Sequence, residues 1–424
     1  MSAVHANRRW DVLIVGGGPV GACAAALLQC SFGTAARPLA IAVLEPHRPS
    51  PLAAHEPFDS RVSALSRASE RILTAAGAWQ RLPRERLGPY ERMIVWPGHL
   101  AARSPDALTF DAAYAGESNL GYIVENRLVQ WAALAAFEAA GGTVIAGGLS
   151  RLRIEEPQIG VETSAGGFTC GLIVGADGAR SKVREAAGLA ARVGSYRQTA
   201  IVANVRTALP HESTAWQRFL GRGTLAFLPL ADGSSSIVWS VDENVAAMLL
   251  AMPPERFEEE LLRESDGVLG AARLCTDRMA LPLRSFTAER FTANRCALIG
   301  DAAHVVHPLA GQGVNLGLLD AAALAECIAD AQRGAEDPGA PGVLRRYERW
   351  RKSEIAPMAL AIDAFNRFLA HGAGPLSRLA RRGLSWVNRS EELKRWFIAR
   401  ALGLSGELPA AARPGGMSDC AQAR

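Results

Sequence analysis

The residues best suited to do chemistry begin with a glycine-rich turn near the start of the chain. A run of apolar, β-branched residues over 11–15 predicts a strand buried on both faces. Residues 16–21 read G-G-G-P-V-G and fit the spacing G-x-G-x-x-G. In that spacing Gly16 allows the turn, Gly18 lets the backbone approach a pyrophosphate, and Gly21 lets a helix pack closely on the strand.

The elements around this turn narrow the choice of ligand. An alanine-rich helix is predicted over 22–29, and its amino-terminal N–H groups and dipole favour phosphate. A second strand over 40–44 ends in Glu45, where a carboxylate can bind a ribose hydroxyl. An acid at this point fits an unphosphorylated adenosine ribose, so FAD and NAD are the candidates. A glycine turn that binds nothing is the alternative.

Two more apolar runs end in an acidic turn. Asp177-Gly178 follows a run over 171–175, and Gly300-Asp301 follows a run over 296–299. Ligands bind at the carboxyl ends of strands in α/β sheets, so we expect these turns to meet the first one. The last loop enters a helix predicted over 314–329, whose first amides could stabilise negative charge on a flavin ring. This loop favours FAD over NAD.

Together these features resemble a known family. The G-x-G-x-x-G turn, Glu45, Arg61, Asp177-Gly178 and Gly300-Asp301 resemble the class A flavoprotein monooxygenases, the family of para-hydroxybenzoate hydroxylase. Within that family, three stretches look like the ubiquinone-biosynthesis ring hydroxylases, and they cover residues 61–66, 121–126 and 307–318. The likeness runs from about residue 10 to about residue 405.

The resemblance implies roles for individual residues. Asp301 would bind a ribityl hydroxyl of FAD, residues 313–315 would lie under the flavin pyrimidine, and Arg61 would lie beside the cofactor. Asp177 would face the groove between the pyrophosphate and NAD(P)H. Arg61 as a surface arginine and Asp177 as a helix cap are the alternatives. The full predicted set of cofactor-binding residues is Gly16, Gly18, Gly21, Glu45, Arg61, Asp177, Asp301, Pro308, Gly311, Gly313, Val314 and Asn315.

The family also implies the reaction. FAD, reduced by NAD(P)H or another reductant, would react with O₂ to give a C4a-hydroperoxide that hydroxylates a phenolic, polyprenylated ring. A dry pocket matters more for this chemistry than a strong acid or base. No catalytic side chain and no metal site are assigned. His304 and His307 could titrate near neutral pH, but a structural role is favoured for both.

The predicted fold is α/β (α+β overall), with a Rossmann-like FAD-binding domain, an inserted antiparallel β-sheet substrate domain and C-terminal helices. Strands of the inserted sheet are predicted over 198–205, 224–230 and 235–241. Trp239 and Phe227 on these strands are expected in the core, with the pocket as the alternative. The predicted FAD-binding domain covers 8–95, 121–190 and 286–342, the substrate domain 96–120 and 191–285, the helical segment 343–405 and a flexible tail 406–424.

Charge is unevenly distributed. The net charge is +4, yet from residue 341 onward 15 basic residues face 7 acidic ones. A basic, amphipathic pattern over 376–402 suggests peripheral contact with an anionic inner membrane, and a solvated helical face is the alternative. The 7 cysteines form no C-x-x-C pair, which indicates free thiols in a reducing cytoplasm. Nothing indicates nucleic-acid binding. A homo-oligomer or a biosynthetic complex stays open.

Other functions remain to be weighed. A flavin halogenase would carry W-x-W-x-I-P, and none of the 9 tryptophans has another two places away. A flavin reductase acting on isoprenoid substrates is harder to exclude from the sequence. A non-catalytic flavoprotein that binds quinone precursors is the alternative from a different class. An NAD dehydrogenase is disfavoured by the Gly300-Asp301 loop.

Overall fold

A computed structural model describes residues 8–32, 38–53, 56–155, 157–221, 223–305, 313–369 and 406–415. The strands are β1 (Arg9–Val15), β2 (Ile41–Leu44), β3 (Val62–Ser66), β4 (Gly88–Tyr90), β5 (Arg92–Pro97), β6 (Leu108–Asp111), β7 (Gly121–Glu125), β8 (Thr143–Ile145), β9 (Leu149–Glu155), β10 (Gln158–Thr163), β11 (Gly166–Gly175), β12 (Ala191–Thr207), β13 (Thr214–Leu220), β14 (Gly223–Pro229), β15 (Ser235–Asp242), β16 (Ala272–Leu274), β17 (Met279–Ala288), β18 (Thr292–Ala293), β19 (Cys296–Leu298) and β20 (His304–Val305). The α-helices are α1 (Pro19–Phe32), α2 (Arg67–Ala75), α3 (Asn126–Ala139), α4 (Lys182–Ala186), α5 (Glu243–Ala251), α6 (Pro254–Glu264), α7 (Gly313–Arg333) and α8 (Pro341–Leu369).

The first sheet has eight strands and carries the glycine-rich turn. Its main path runs β18-β19-β11-β1-β2-β8, with β10 and β9 attached beyond β11. The central pairs of β1 with β2 and β11, and of β11 with β19, are parallel. Their side chains are buried because α1, α3 and α7 join the same apolar core. The predicted Rossmann-like fold is therefore confirmed.

The second sheet has nine strands and is mostly antiparallel. Its path runs β20-β17-β12-β15-β14-β13-β5-β6, and β16 pairs with β12. One face packs on α5 and α6, where Trp239 lies 5.5 Å from Phe257 between ring centroids. Trp239 and Phe227 are both 2% exposed in this core. They lie at ordinary core positions, as the sequence favoured, and not in a pocket.

A small sheet joins the two large ones. It has the order β3-β7-β4, and its residues Ala64 and Ile123 share an apolar cluster with Leu228 and Leu230 beside the nine-stranded sheet. The predicted domain limits stay predictions. The nine-stranded sheet takes in β5 from Arg92, and β17 crosses the predicted limit at 285/286.

Beyond α8 only residues 406–415 are described, and there Ala412 lies in the apolar core, so this part of the predicted flexible tail is packed on the protein. The helix predicted from residue 343 lies within the longer α8. The helices predicted over 376–402 lie outside the described residues. Among the helices that are described, none combines the length and the apolar character needed to cross a bilayer.

Candidate active site

Three strand ends meet at one edge of the eight-stranded sheet. Val15 is in register with Gly175, and Gly175 with Leu298. The ladder continues past the strands: the Ala176 N–H donates to the Val15 carbonyl at 2.8 Å, and the Ile299 N–H donates to the Gly175 carbonyl at 3.0 Å. The three turns after these strands therefore lie side by side, as the sequence predicted.

The glycines of the first turn differ in what surrounds them. Gly16 has a φ of +98°, and a Cβ placed there would lie 2.4 Å from the Ala176 carbonyl oxygen. A Cβ on Gly21 would lie 2.0 Å from the Gly16 carbonyl oxygen, so helix and turn could not approach as they do. A Cβ on Gly18 would meet no atom within 4 Å. The turn is thus closed toward the sheet and open at Gly18, which fits a pyrophosphate lying against the backbone there.

Glu45 stabilises this turn by a hydrogen bond to its backbone. One carboxylate oxygen accepts from the Gly17 N–H at 2.7 Å, and the other accepts from the His47 N–H at 2.9 Å. The Gly16 N–H donates to the Leu44 carbonyl at 2.9 Å, which fixes Glu45 beside the glycines. Binding of a ribose hydroxyl by Glu45 stays a prediction, and each oxygen keeps further lone pairs for it.

Asp177 caps a short helix. One carboxylate oxygen accepts from the Ser181 hydroxyl, and the other accepts from the N–H groups of Lys182 at 2.7 Å and Val183 at 3.3 Å. Both oxygens are therefore used at the start of α4, which matches the alternative reading of this residue. A direct role of Asp177 toward NAD(P)H stays a prediction.

Asp301 lies in the short turn that follows β19. Asp301 as a whole residue is exposed to solvent. The pKa of its carboxyl is nevertheless raised, because surrounding protein desolvates the carboxylate. The two observations agree if solvent reaches the carboxylate through a cleft walled by protein. The charges of His304 and Arg61 oppose the rise in the pKa of Asp301, so both groups lie close enough to act on its carboxylate. A carboxylate in such a place is suited to accept hydroxyl groups of a ligand, such as the ribityl chain.

The start of α7 supplies backbone groups only. Asn315 is 4% exposed, and its carbonyl oxygen accepts from the Ser66 N–H at 3.0 Å and the Ser69 hydroxyl at 2.7 Å. Its amide nitrogen donates to the Ala64 carbonyl at 2.8 Å. The Asn315 side chain therefore joins α7 to β3 and α2. What residues 313–315 can offer a flavin is their backbone N–H groups, which have no partner within the helix.

Part of the predicted site is not described. Pro308, Gly311 and His307 lie outside the described residues. His304 is described and is 2% exposed, with its Nε2 atom 2.6 Å from a carboxylate oxygen of Asp320. This contact gives His304 a structural role, as the sequence favoured.

Sequence reasoning missed the charged cluster around Asp320. Asp320 is fully buried in α7, and besides His304 it accepts from the Gly300 N–H at 3.0 Å and from Arg351 Nε at 2.7 Å. Burial alone would raise the pKa of Asp320, but the charges and hydrogen bonds of His304 and Arg351 hold it below its ordinary value. The cluster fixes the turn that carries Asp301. The available signal was an acid, Asp320, placed among apolar residues in the first half of the helix.

A second buried pair was also missed. Arg86 and Glu125 are 1% and 0% exposed, and two bonds of 2.7 Å join guanidinium and carboxylate. Arg86 also donates to the carbonyls of Glu56 at 2.9 Å and Pro57 at 3.2 Å, and Glu125 accepts from the Asp59 N–H at 2.7 Å. The pair therefore holds the segment that leads into Arg61.

An apolar surface lies between the small sheet and the nine-stranded sheet. Phe58, Tyr90, Met93 and Val238 are partly buried there against the cluster that contains Leu228. Burial raises the pKa of Tyr90, so its phenol stays neutral. Because these apolar side chains are only partly buried, they are candidates for the wall of a substrate site.

The described cysteines are free thiols. Cys23, Cys170, Cys296 and Cys327 are buried, and burial raises the pKa of Cys170 to about 12. Cys275 is exposed. Among described residues, no group of three or more His, Cys, Asp or Glu side chains could hold a metal ion.

Comparisons with known proteins agree with this arrangement. Residues 120–359 match the FAD binding domain family. The chain is 37% identical over 401 residues to "Ubiquinone hydroxylase UbiL" of Rhodospirillum rubrum, covering 94% of this chain and 90% of that protein. It is 33% identical to "3-demethoxyubiquinol 3-hydroxylase" of Escherichia coli, covering 94% and 100%. The p-nitrophenol 4-monooxygenase structure from Pseudomonas putida shares the fold, with a TM-score of 0.75, 19% identity and coverage of 95% and 99%.

Proposed function

The chain belongs to the FAD-dependent aromatic-ring monooxygenases, and from that membership we propose that it hydroxylates the phenolic ring of a polyprenylated ubiquinone precursor. The observation that carries the substrate class is the likeness to proteins named as ubiquinone hydroxylases over 94% of the chain. The mitochondrial "Ubiquinone biosynthesis monooxygenase COQ6" of Homo sapiens is also 30% identical, over 94% of both chains. An enzyme that shares so much of its length with these relatives is expected to share their substrate class.

FAD is the cofactor, and bound FAD supplies the electrons that activate O₂ after reduction by NAD(P)H or another donor. We propose that the open side of Gly18 takes the pyrophosphate, that Glu45 binds the adenosine ribose and that Asp301 accepts a ribityl hydroxyl. The first amides of α7 would lie under the ring.

The rest of the chemistry is placement and exclusion of water. Arg61 follows the segment held by Arg86 and Glu125, and its charge acts on Asp301, which supports a place for Arg61 beside the cofactor. The wall formed by Phe58, Tyr90 and Met93 is apolar and partly buried, and it supports binding of the ring between the sheets. Exclusion of water there protects a reactive oxygen species from loss before it reaches the ring.

Labelled oxygen tests the reaction. Purified, yellow protein is supplied with NAD(P)H, ¹⁸O₂ and a polyprenylated phenol, and the product is analysed by mass spectrometry. We expect one ¹⁸O atom in the ring product. A saturated product without ¹⁸O would support a reductase instead. Oxygen uptake that no phenol accelerates would support a non-catalytic flavoprotein.

Where the protein acts follows from the substrate class. We propose a cytoplasmic enzyme that contacts the inner membrane peripherally, since a polyprenyl tail keeps the substrate in the bilayer. A biosynthetic complex or a homo-oligomer stays a prediction. Fractionation of host cells into cytosol and membranes, before and after a high-salt wash, tests the membrane contact.

A further inference from the structure

A basic groove lies along the first turns of α8. Its volume is about 840 Å³, and five cationic side chains line it. We call it the α8 groove, and its cationic residues are Arg290, Arg345, Arg346, Arg349 and Lys352. A neighbouring cavity of about 530 Å³ shares Arg290 and Arg345 and reaches Thr292 and Asn294 on the edge of the eight-stranded sheet.

The carboxylates near the groove do not neutralise it. Glu348 accepts from the Phe291 N–H at 3.0 Å and the Thr292 hydroxyl at 2.8 Å, and it pairs with Lys352 at 2.8 Å. Arg346 pairs with Glu336, on the far side of the turn before α8, at 3.3 Å. Two cations of the groove therefore have partners.

The other three cations have none among described residues. Arg290, Arg345 and Arg349 are exposed, and no described carboxylate lies within ion-pair distance of their guanidinium groups. Glu348 also lines the groove, but its carboxylate is paired with Lys352, so the three guanidinium groups around this concave surface make a site for an anion.

The geometry favours phosphate among anions. A guanidinium presents N–H donors in a planar fork that matches two phosphate oxygens. The groove also includes Gly342, next to the amino-terminal end of α8, where free N–H groups and the helix dipole favour negative charge. A Cβ on Gly342 would meet no atom within 4 Å, so a ligand can reach this helix end.

We propose that the α8 groove binds the phosphate groups of anionic phospholipids and so holds the enzyme against the membrane. The choice of a lipid as the source of the phosphate rests on the proposed function, in which the substrate carries a polyprenyl tail. An acidic protein is the alternative occupant, and in that case loss of the three arginines would leave binding to vesicles unchanged.

Vesicle sedimentation of the full-length, FAD-loaded protein tests this. The vesicles are phosphatidylcholine alone, or phosphatidylcholine with phosphatidylglycerol, at low and moderate salt. We expect binding only with phosphatidylglycerol, weakened by salt. The triple variant Arg290→Gln/Arg345→Gln/Arg349→Gln is expected to lose affinity by roughly tenfold or more, since each cation near an anionic surface contributes.

The matched control removes the same charge elsewhere. Arg103→Gln/Arg151→Gln/Arg256→Gln replaces three exposed arginines outside the groove and is expected to bind almost as wild type does. Equal loss in both triple variants would overturn the proposal, because total charge would then explain binding. The proposal would also be overturned if wild-type protein did not bind phosphatidylglycerol vesicles, or if it bound inorganic phosphate at the groove instead of lipid.

The proposal and the function can fail separately. Flavin absorbance and thermal unfolding of the triple variant are expected to match wild type, because the three side chains are exposed and lie outside the proposed FAD cleft. Hydroxylation of a short-chain phenol in detergent reports the proposed function without a membrane. A variant that hydroxylates normally but no longer binds vesicles is the expected result.

Discussion

Two buried charged clusters hold the segment before Arg61 and the turn that carries Asp301, and they are built differently. Arg86 and Glu125 hold the segment before Arg61 through a two-bond ion pair, and the guanidinium has further carbonyl partners. Asp320 holds the turn that carries Asp301 and accepts from an imidazole, a guanidinium and a backbone N–H.

The difference lies in how completely each cluster is satisfied. Each nitrogen of the Arg86 guanidinium has an acceptor. In the other cluster, the Nη2 atom of Arg351 has no hydrogen-bond partner among described residues. We infer that the Arg61 segment is held by a fully hydrogen-bonded guanidinium, whereas the guanidinium behind the Asp301 turn keeps one buried donor unpaired.

Arg86→Leu should have the largest effect. It leaves Glu125 as a buried, unpaired carboxylate and frees the carbonyls of residues 56 and 57. We expect the free energy of unfolding to fall by about 3–5 kcal/mol. Urea unfolding of the purified variant measures it.

The control for that change is an exposed ion pair. Arg153 and Glu162 pair at 2.9 Å, and both side chains are 52% exposed. Arg153→Gln is expected to change stability by no more than about 0.5 kcal/mol. If the two variants lost similar stability, burial would not be the reason that the Arg86 pair matters.

Asp320→Asn comes next. The amide keeps the shape of the side chain but removes the charge that Arg351 and His304 face. We expect a loss of about 2–3 kcal/mol, near that of hydrogen bonds to a charged group. FAD affinity should also fall, because the Asp301 turn loses its anchor. Fluorescence titration with FAD measures the affinity. Unchanged affinity would show that the Asp301 turn keeps its conformation without the Asp320 charge.

The pH dependence of stability sharpens the contrast. The pKa of Asp320 is held below its ordinary value of 3.8, so its charged form is favoured in the folded state. That stabilisation is present above the unfolded-state pKa and is lost as pH falls through the folded-state pKa. It amounts to about 1.4 kcal/mol for each unit of depression.

Comparing wild type with Asp320→Asn measures it. The stability difference between them should be constant at neutral pH and shrink as pH falls below about 4. The corresponding difference between wild type and Arg153→Gln should stay small throughout. A difference that grew on acidification would contradict the sign of the pKa shift.

Asp301→Asn should have the smallest effect on stability. Burial raises the pKa of Asp301, so loss of the charge relieves desolvation, and the unfolding free energy should change by less than about 0.5 kcal/mol. FAD affinity should fall roughly tenfold, as for one lost hydrogen bond to a charged acceptor. Apo-protein unfolding and FAD titration separate the two effects. Unchanged FAD affinity would contradict the proposal that Asp301 binds FAD.

What could be predicted from the sequence was local. The glycine turn, the acids at three strand ends and the start of α7 follow from short patterns whose backbone demands are known. The hydrogen bonds of Asn315 and Asp177 could not be predicted in this way, because several possible partners lie near each side chain in the fold. The Asn315 side chain donates a hydrogen bond to β3, and the Asp177 carboxylate accepts one from the start of α4.

The two buried charged clusters could not be predicted from the sequence for a different reason. Arg86 meets Glu125 39 residues further on, and Asp320 meets Arg351 31 residues further on. Spacing in the chain says nothing about which arginine folds onto which acid. Such pairs need the sheet order, which depends on packing across the whole chain.

The order of strands in the eight-stranded sheet has a consequence for synthesis on the ribosome. The glycine turn emerges first, but its neighbour β11 follows far later and β19 later still. At about 5–20 residues per second, the roughly 280 residues between β1 and β19 take about 15–60 s to translate. A nascent chain stopped before β19 should therefore be unable to retain FAD, and cofactor capture should be one of the last events before release.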